Sequence, residues 1–440
     1  MRYHPRMGES FRDGARRAGV GGWRRPLRVI LLSAVLAGVA QGAAAEDAES
    51  LLDALEFGGS IEVAFERQQN FDLDSKIADD VDLLPVELQL ELVFEPSDYF
   101  EAVVQATLER EFELRVEGLG ERRETELLIE EAYVTLRDPD LGLGLQVGRQ
   151  LFEDERQWLY DEELDAVRAA YRASGGSLEL SVSRKALVDE DLLNEVEEEP
   201  VSNYMLVGAY APNDEVTLGA YGIVRDDRGR GGDPVYFYGL SSKGTIGARL
   251  DFWLDVALVR GRDEGVDLRG TGLDFLGLYR IDAPLRPHVL LGYAFGSGDS
   301  DPDDGRDGAF RQTGLQGNEA ELGGPTAFST YGEAFDPELS NLSIFTAGLG
   351  ARPREGISLD LVYHSYRQDK ASDELRDAAL EAEPTGQSRR LGSEIDLVLG
   401  FEEIEDFRIS GFFGYFMPGR AFGPGADDAL FARIEIEYEF

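Results

Sequence analysis

The chain has 440 residues, with 43 lysines and arginines against 86 aspartates and glutamates, 51 glycines and no cysteine. A formal charge of −43 repels nucleic acid, and the lack of cysteine removes disulfides, thiolate nucleophiles and thiolate-held metals together. The three histidines, His4, His288 and His364, are too few and too scattered for a His-rich metal site, so no metal and no cofactor is expected.

Residues 1–45 read as a signal peptide with extra residues upstream. Arg24, Arg25 and Arg28 precede an apolar run from Leu27 to Ala40, and Ala43, Ala44 and Ala45 offer a small-residue cleavage site. That run is too short to cross a bilayer as a helix. Without residues 1–45 the chain keeps 35 basic groups against 84 acidic ones, and its lysines are Lys76, Lys185, Lys243 and Lys370 alone. Such a surface gathers cations, and adaptation to high salt explains it as well as any specific function.

From residue 46 to 440 one pattern recurs, so a single domain is expected. Apolar and polar residues alternate with period two near 57–68, 83–95, 99–112, 125–137, 142–151, 164–172, 176–186, 202–211 and 214–224. The pattern continues near 234–242, 245–259, 270–281, 286–296, 340–352, 355–367, 389–400, 406–416 and 429–440. These segments predict an all-β fold, a single antiparallel transmembrane barrel of the outer-membrane type with about eighteen strands. In the segment 83–95, Leu84, Val86, Leu88, Leu90, Leu92 and Phe94 oppose Glu87, Gln89 and Glu91. A charged face turned to lipid would cost roughly 2–4 kcal/mol for a midplane Arg or Lys, so the polar faces must line a lumen. The chain closes on Ile434, Ile436, Tyr438 and Phe440 facing one way and Arg433, Glu435, Glu437 and Glu439 facing the other.

Connections support an even strand count. Pro96–Asp98, Pro139–Leu141, Ala173–Gly175, Pro212-Asn213, Ser242–Gly244, Asp282–Leu285, Pro353-Arg354 and Phe401–Glu405 are short and turn-like, and belong on the periplasmic side. The intervening connections, 260–269 and 297–339 among them, are longer and belong outside. Both termini are then periplasmic.

The inward phase holds Arg168, Arg172, Lys185, Arg249, Arg280, Arg408 and Arg433, but more acids than bases, including Glu62, Glu66, Glu87, Glu91, Glu109, Glu131, Asp251, Asp255, Glu435 and Glu437. Either the arginines gather at one level, or the pore passes cations or neutral solutes. The run Asp299-Ser300-Asp301-Pro302-Asp303-Asp304-Gly305 has a calcium-loop flavour, yet Asp304 stands where the sharp-turn glycine belongs and no spaced Glu follows. It is read as a solvated acidic loop. No Gly-x-Ser-x-Gly elbow, His-Glu-x-x-His or phosphate-binding Gly-Lys-Ser/Thr loop occurs, so the chain is not read as an enzyme.

Two segments carry more than barrel statistics: Gly148-Arg149-Gln150-Leu151-Phe152-Glu153-Asp154-Glu155-Arg156-Gln157-Trp158-Leu159-Tyr160-Asp161, continuing to Arg168, and Phe310-Arg311-Gln312-Thr313-Gly314-Leu315-Gln316 with Tyr331-Gly332-Glu333 and Pro337–Leu342. With Gly392–Asp396 they resemble the alginate export family of outer-membrane proteins over roughly residues 57–440. The resemblance implies a monomeric eighteen-stranded barrel, set in outer-membrane lipid and lipopolysaccharide, that passes an anionic uronate polymer delivered by periplasmic export machinery. It also implies an arginine-lined lumen gated by inward loops, with Arg149, Arg156, Asp161, Asp165 and Arg168 as pore or pore-mouth groups. Strand phase agrees for Arg168 but puts Arg149 on the lipid side with Leu145 and Val147, unless a bulge re-aims it or it sits at the strand end in the headgroup zone. A diffusion porin for small solutes is the alternative, and a surface adhesin or enzyme anchored by its barrel is a third class.

Overall fold

The computed structural model describes residues 51, 53–116, 125–185, 187, 191–194, 201–227, 232–263, 265–301 and 303–440. The expected signal peptide lies outside them. The described chain is a closed antiparallel barrel. Its first strands are β1 (Leu55–Gln69), β2 (Val81–Ser97), β3 (Phe100–Val116), β4 (Thr125–Asp138), β5 (Leu143–Glu153) and β6 (Asp161–Ala173). Next come β7 (Gly176–Arg184), β8 (Ser202–Tyr210), β9 (Val216–Asp226), β10 (Val235–Ile246), β11 (Leu250–Asp263), β12 (Val266–Arg280) and β13 (His288–Gly296). Three short strands follow, β14 (Arg306–Asp307), β15 (Glu319–Glu321) and β16 (Ala327–Ser329), and then β17 (Leu342–Arg354), β18 (Ile357–Gln368), β19 (Arg390–Ile404), β20 (Phe407–Pro418) and β21 (Ala429–Glu439). Without the three short ones, eighteen strands form the wall, each paired with its chain neighbour, and β1 pairs β21 to close it.

The seam is sealed by the last residue. Phe440 and Gly59 exchange backbone hydrogen bonds of 3.1 and 2.9 Å. A side chain at 59 would put its Cβ 2.4 Å from the Gln89 carbonyl and 2.9 Å from the Phe440 ring, so glycine is what lets that ring fold over the seam.

Alternation sorts the two faces as read from the sequence. Ile61, Val63, Leu90, Val104, Leu180, Val182, Leu240, Leu291, Leu361, Ile434 and Ile436 stand exposed around the outside. Tyr171, Tyr210, Tyr279, Phe407, Tyr438 and Phe440 add aromatic rings near the periplasmic strand ends, the girdle expected where hydrocarbon meets headgroups. Burial of so much apolar surface is left to lipid rather than to a core.

Two connections differ from expectation. The turn placed at Ser242–Gly244 falls instead at Gly247–Arg249, because β10 and β11 stay paired out to Ile246↔Leu250. Gly244 serves the strand: a Cβ there would lie 1.9 Å from the Glu215 carbonyl. Outside, the predicted long connection 260–269 is instead mostly strand, since β11 and β12 pair out to Asp263↔Val266. Strand parity survives, but not every outer connection is long.

The lumen is divided. On the β10–β20 side it is filled by the connection 297–339, which starts at the outer end of β13 and descends the whole barrel. Phe310, Leu315, Leu322, Phe328, Tyr331, Phe335 and Leu339 in it are buried. Its lowest point is the β15–β16 hairpin, where Arg352 of β17 donates to Gly323 O at 2.7 Å and Leu322 O at 3.1 Å. Arg352 also pairs with Asp360 at 2.8 Å, and Asp360 in turn with His288 at 2.8 Å.

Candidate functional site

A second inward element begins at Gly148. Its φ of +129° is open only to glycine in practice, and a Cβ would lie 2.2 Å from Ala132 O. Pairing between β4 and β5 stops one residue later, at Ala132↔Arg149, while β5 and β6 stay paired to Glu153↔Asp161. The outer half of the β5–β6 hairpin therefore leaves the wall and leans into the lumen. Leu151 N–H then donates to the inward Glu131 carboxylate at 3.2 Å rather than to a neighbouring backbone. The vacated edge of β4 meets Asp191 and Leu192, with Leu192 N–H on Leu127 O at 2.9 Å and Leu127 N–H on Asp191 Oδ1 at 3.1 Å.

Arg149 sits where the sheet splits. It is 6% exposed, binds Asp165 with two hydrogen bonds of 3.2 Å, and donates to Ile129 O at 3.2 Å. The expectation of a lipid-facing Arg149 is thus corrected: the bend at Gly148 turns it into the wall, where it and Asp165 staple the split. Neither is among the residues that line the open cavity described below.

The two inward elements meet. Arg156 donates to Asp274 of β12 at 2.7 Å, both buried; burial opposes the guanidinium charge, but Asp274 together with Tyr331 and Asp255 outweighs it and raises the Arg156 pKa. Tyr331 also donates to Asp274, at 2.9 Å, and accepts from Trp158 Nε1 at 2.9 Å. Burial, with Asp274 beside it, pushes the Tyr331 phenol well up, so it stays a donor. Gln312 donates to Trp158 O at 3.1 Å, the Phe310 ring stacks on Trp158 at 6.2 Å, and Asp161 N–H donates to Leu315 O. Glu394 of β19 accepts from Ala334 N–H at 2.6 Å and Phe335 N–H at 3.1 Å. The segments singled out in the sequence are therefore the contacts that fix the plug.

What remains open is eccentric. A cavity of about 970 Å³ runs between the inner wall of β2–β4 and the leaning β5–β6 hairpin, reaching the periplasmic turns at 138–144 and 172–174. Gln89, Gln105, Thr135 and Gln146 line it together with Arg137, Arg168, Arg172, Glu91, Glu131 and Glu179. Arg168 pairs with Glu179 at 2.8 Å and lies over the Phe152 ring at 4.6 Å. Arg172 is exposed at the rim, and the described residues give its side chain no carboxylate partner.

The other expected pore cations are placed differently. Arg249 lies in the β10–β11 turn, half-exposed and 3.7 Å from Asp282, rather than on the lumen wall. Arg280 is held by Asp251. Arg408 sits among Glu402 at 2.6 Å, Glu437 at 3.1 Å and Glu439 at 3.9 Å. Arg433 is buried among Glu62 and Glu66, both at 3.1 Å, and Glu435. Arg172, Arg249, Arg280 and Arg408 thus gather at the periplasmic ends of their strands. Sequence reasoning missed Arg352 and Arg225, the latter donating to Thr313 O of the plug at 2.7 Å. Both sit on the inward phase of β17 or β9, and nothing in phase alone says which loop they meet. Around 299–305 the acids cap turn backbone, as in Arg306 N–H on Asp304 Oδ1 at 2.8 Å. Among the described residues no group of His, Asp or Glu gathers to hold a metal.

An apolar, aromatic-girdled exterior around a charged, partly plugged lumen defines an outer-membrane β-barrel channel. Solved structures agree on the fold: Pseudomonas aeruginosa OccK5 (OpdH) superposes with a TM-score of 0.57 at 11% identity, covering 89% of this chain and 99% of that one. OccK11 (OpdR) of the same organism gives 0.56 at 13% identity, covering 88% and 96%. The profile of the Alginate export family matches residues 53–433, and the chain belongs to that family. It is 32% identical over 196 residues to the alginate production protein AlgE of Pseudomonas aeruginosa, covering 40% of this chain and 38% of that protein. A second AlgE, from Azotobacter vinelandii, is 32% identical over 133 residues, 28% of each chain. The aligned stretches therefore span well under half of either relative.

Proposed function

We propose that this channel passes an acidic polysaccharide, an alginate-like polyuronate, from the periplasm to the cell surface, and that it performs no bond-making chemistry. The observation that carries the reading is the eccentric cavity opening at the periplasmic rim beside Arg172, with Arg168 and Arg137 behind it. A guanidinium fork matches a carboxylate edge, and neighbouring amides suit sugar hydroxyls. Each exposed pairing is weak, worth about 0–1 kcal/mol. Weak, repeated sites let a polymer advance, whereas one tight site would stall it. Among the residues singled out by the family resemblance, Arg168 meets the cargo, whereas Arg149, Asp165, Arg156 and Asp161 shape the passage by fixing the two inward elements. The signal peptide of residues 1–45 delivers the chain to the secretory route, and periplasmic machinery feeds the monomeric barrel its polymer.

Planar-bilayer recording tests this. Oligouronates added on the periplasmic side should block the current, and Arg172→Ala with Arg168→Ala should weaken that block several-fold at low salt. A wide pore indifferent to oligouronates would point to a diffusion porin and sink the proposal.

A further inference from the structure

The registers of five consecutive strands bring glutamates into a single row. Glu437 of β21 stands directly opposite Glu62 of β1, Glu62 opposite Glu87 of β2, Glu87 opposite Glu109 of β3, and Glu109 opposite Glu126 of β4. Directly opposed residues share a face, and this face is the lumen: Glu62, Glu109 and Glu437 are buried there, between 5% and 8% exposed. Because barrel strands tilt, such a row climbs the wall. It begins beside Arg408, directly opposite Glu437 near the periplasmic end of β20, and ends at Glu126 by the outer end of β4. A parallel row of Glu91 and Glu131, separated by Gln105, runs two inward positions below it. The bulge in β4 adds Glu130, which accepts from Gln89 at 3.1 Å and Gln105 at 2.8 Å.

Like charges directly opposite one another in a sheet repel. Arg408 and Arg433 answer the lower end of the row, but Arg433 is already shared among Glu62, Glu66 and Glu435. Glu87, in the middle, has no hydrogen-bond or ion-pair partner among the described residues, although β1, β3 and β21 surround it with acids. An independent feature points the same way. Thr107, next along the inward face of β3 and 2% exposed, turns its hydroxyl into this space with no hydrogen-bond partner. A hydroxyl oxygen beside carboxylates is a ligand set for hard cations. Among the described residues no cluster is tight enough to fix one metal ion, so the ions would be loosely held and mobile.

We propose that this rising glutamate row holds exchangeable cations and makes the open side of the pore cation-selective. A polyanion then crosses with those cations between it and the wall, while the arginines act at the periplasmic entrance. This rests on the channel reading but not on the identity of the polymer.

The reversal potential of the reconstituted full chain in a KCl gradient tests it. A potassium-over-chloride permeability ratio of about ten or more is expected, falling toward one in the Glu87→Gln, Glu109→Gln double variant. Should that variant fail to fold, the wild-type barrel provides the second measurement: millimolar calcium added to KCl should reduce the potassium current by competing for the row. An anion-selective or unselective wild-type pore overturns the inference. So does a double variant of unchanged selectivity, which would mean that protons neutralise the row. Cation selectivity without oligouronate block would leave this inference standing and defeat the proposed function; block without cation selectivity would do the reverse.

Discussion

Arg352→Ala should open the channel. The Arg352 guanidinium holds the lowest point of the plug through Gly323 O at 2.7 Å and Leu322 O at 3.1 Å, while its third nitrogen pairs with buried Asp360 at 2.8 Å. Hydrogen bonds from a charged donor contribute about 1.5–3 kcal/mol each, so losing both weakens docking of the plug tip by at least about 3 kcal/mol. At about 1.4 kcal/mol per factor of ten, the docked-to-undocked ratio falls by roughly 100-fold or more. The substitution also strands Asp360 with His288 alone, and breaking a buried pair costs about 3–5 kcal/mol, so the whole barrel is weakened as well. Arg352→Lys separates the two effects. An ammonium retains the Asp360 pair but lacks the planar fork that serves two carbonyls at once. In single-channel recording both variants should show frequent high-conductance openings that the wild type lacks, and only Arg352→Ala should also melt markedly earlier in detergent. If Arg352→Lys conducts like the wild type, or Arg352→Ala loses stability with no change in conductance, the guanidinium does not restrain the plug.

The plug should also respond to pH. Burial pushes Asp336 and Glu338 up to about 7, with Glu394 adding to the effect at Asp336 and Arg376 opposing it at Glu338. The docked plug therefore binds more protons than the released one between about pH 4 and 7. Its stability is fully present at the acid end and is lost as pH rises through 7, so open probability should be higher at pH 8 than at pH 5, and Asp336→Asn with Glu338→Gln should flatten the profile. Gly148→Ala forces an L-residue to φ +129° against Ala132 O and should cost about 1–3 kcal/mol or more, visible as loss of the heat-modifiable folded band on gels. Arg433→Ala leaves Glu62, Glu66 and Glu435 without their shared cation. It should lower barrel stability by about 3–5 kcal/mol, whereas Arg172→Ala should leave the melting temperature unchanged and reduce oligouronate block alone.

Period-two phase and turn chemistry are local properties, and most of what depends on them was legible: the eighteen wall strands, the inward glutamates and the short turn at Pro139–Leu141. The misplaced β10–β11 turn shows where locality ends. Ser242-Lys243-Gly244 has turn composition, but its glycine answers a backbone approaching from β9, a constraint no window of ten residues contains. Arg149 fails for a related reason. Its phase was counted correctly up to Gly148, and the glycine then changed the direction of the strand, so the count no longer described a face. Partnership is harder still, because it depends on register between strands far apart in sequence. Arg433 and Arg172 are both inward arginines on paper, yet Glu66, 367 positions away, reaches one of them, while the other meets no acid among the described residues. The excess of inward acids was visible from composition and phase, but not its arrangement. Only the pairing Glu437↔Glu62↔Glu87↔Glu109 turns a list of glutamates into a continuous path. That path reconciles an acidic lumen with the proposed anionic cargo by position: at the entrance a guanidinium that meets no carboxylate among the described residues, and along the climb the carboxylates proposed to hold exchangeable cations.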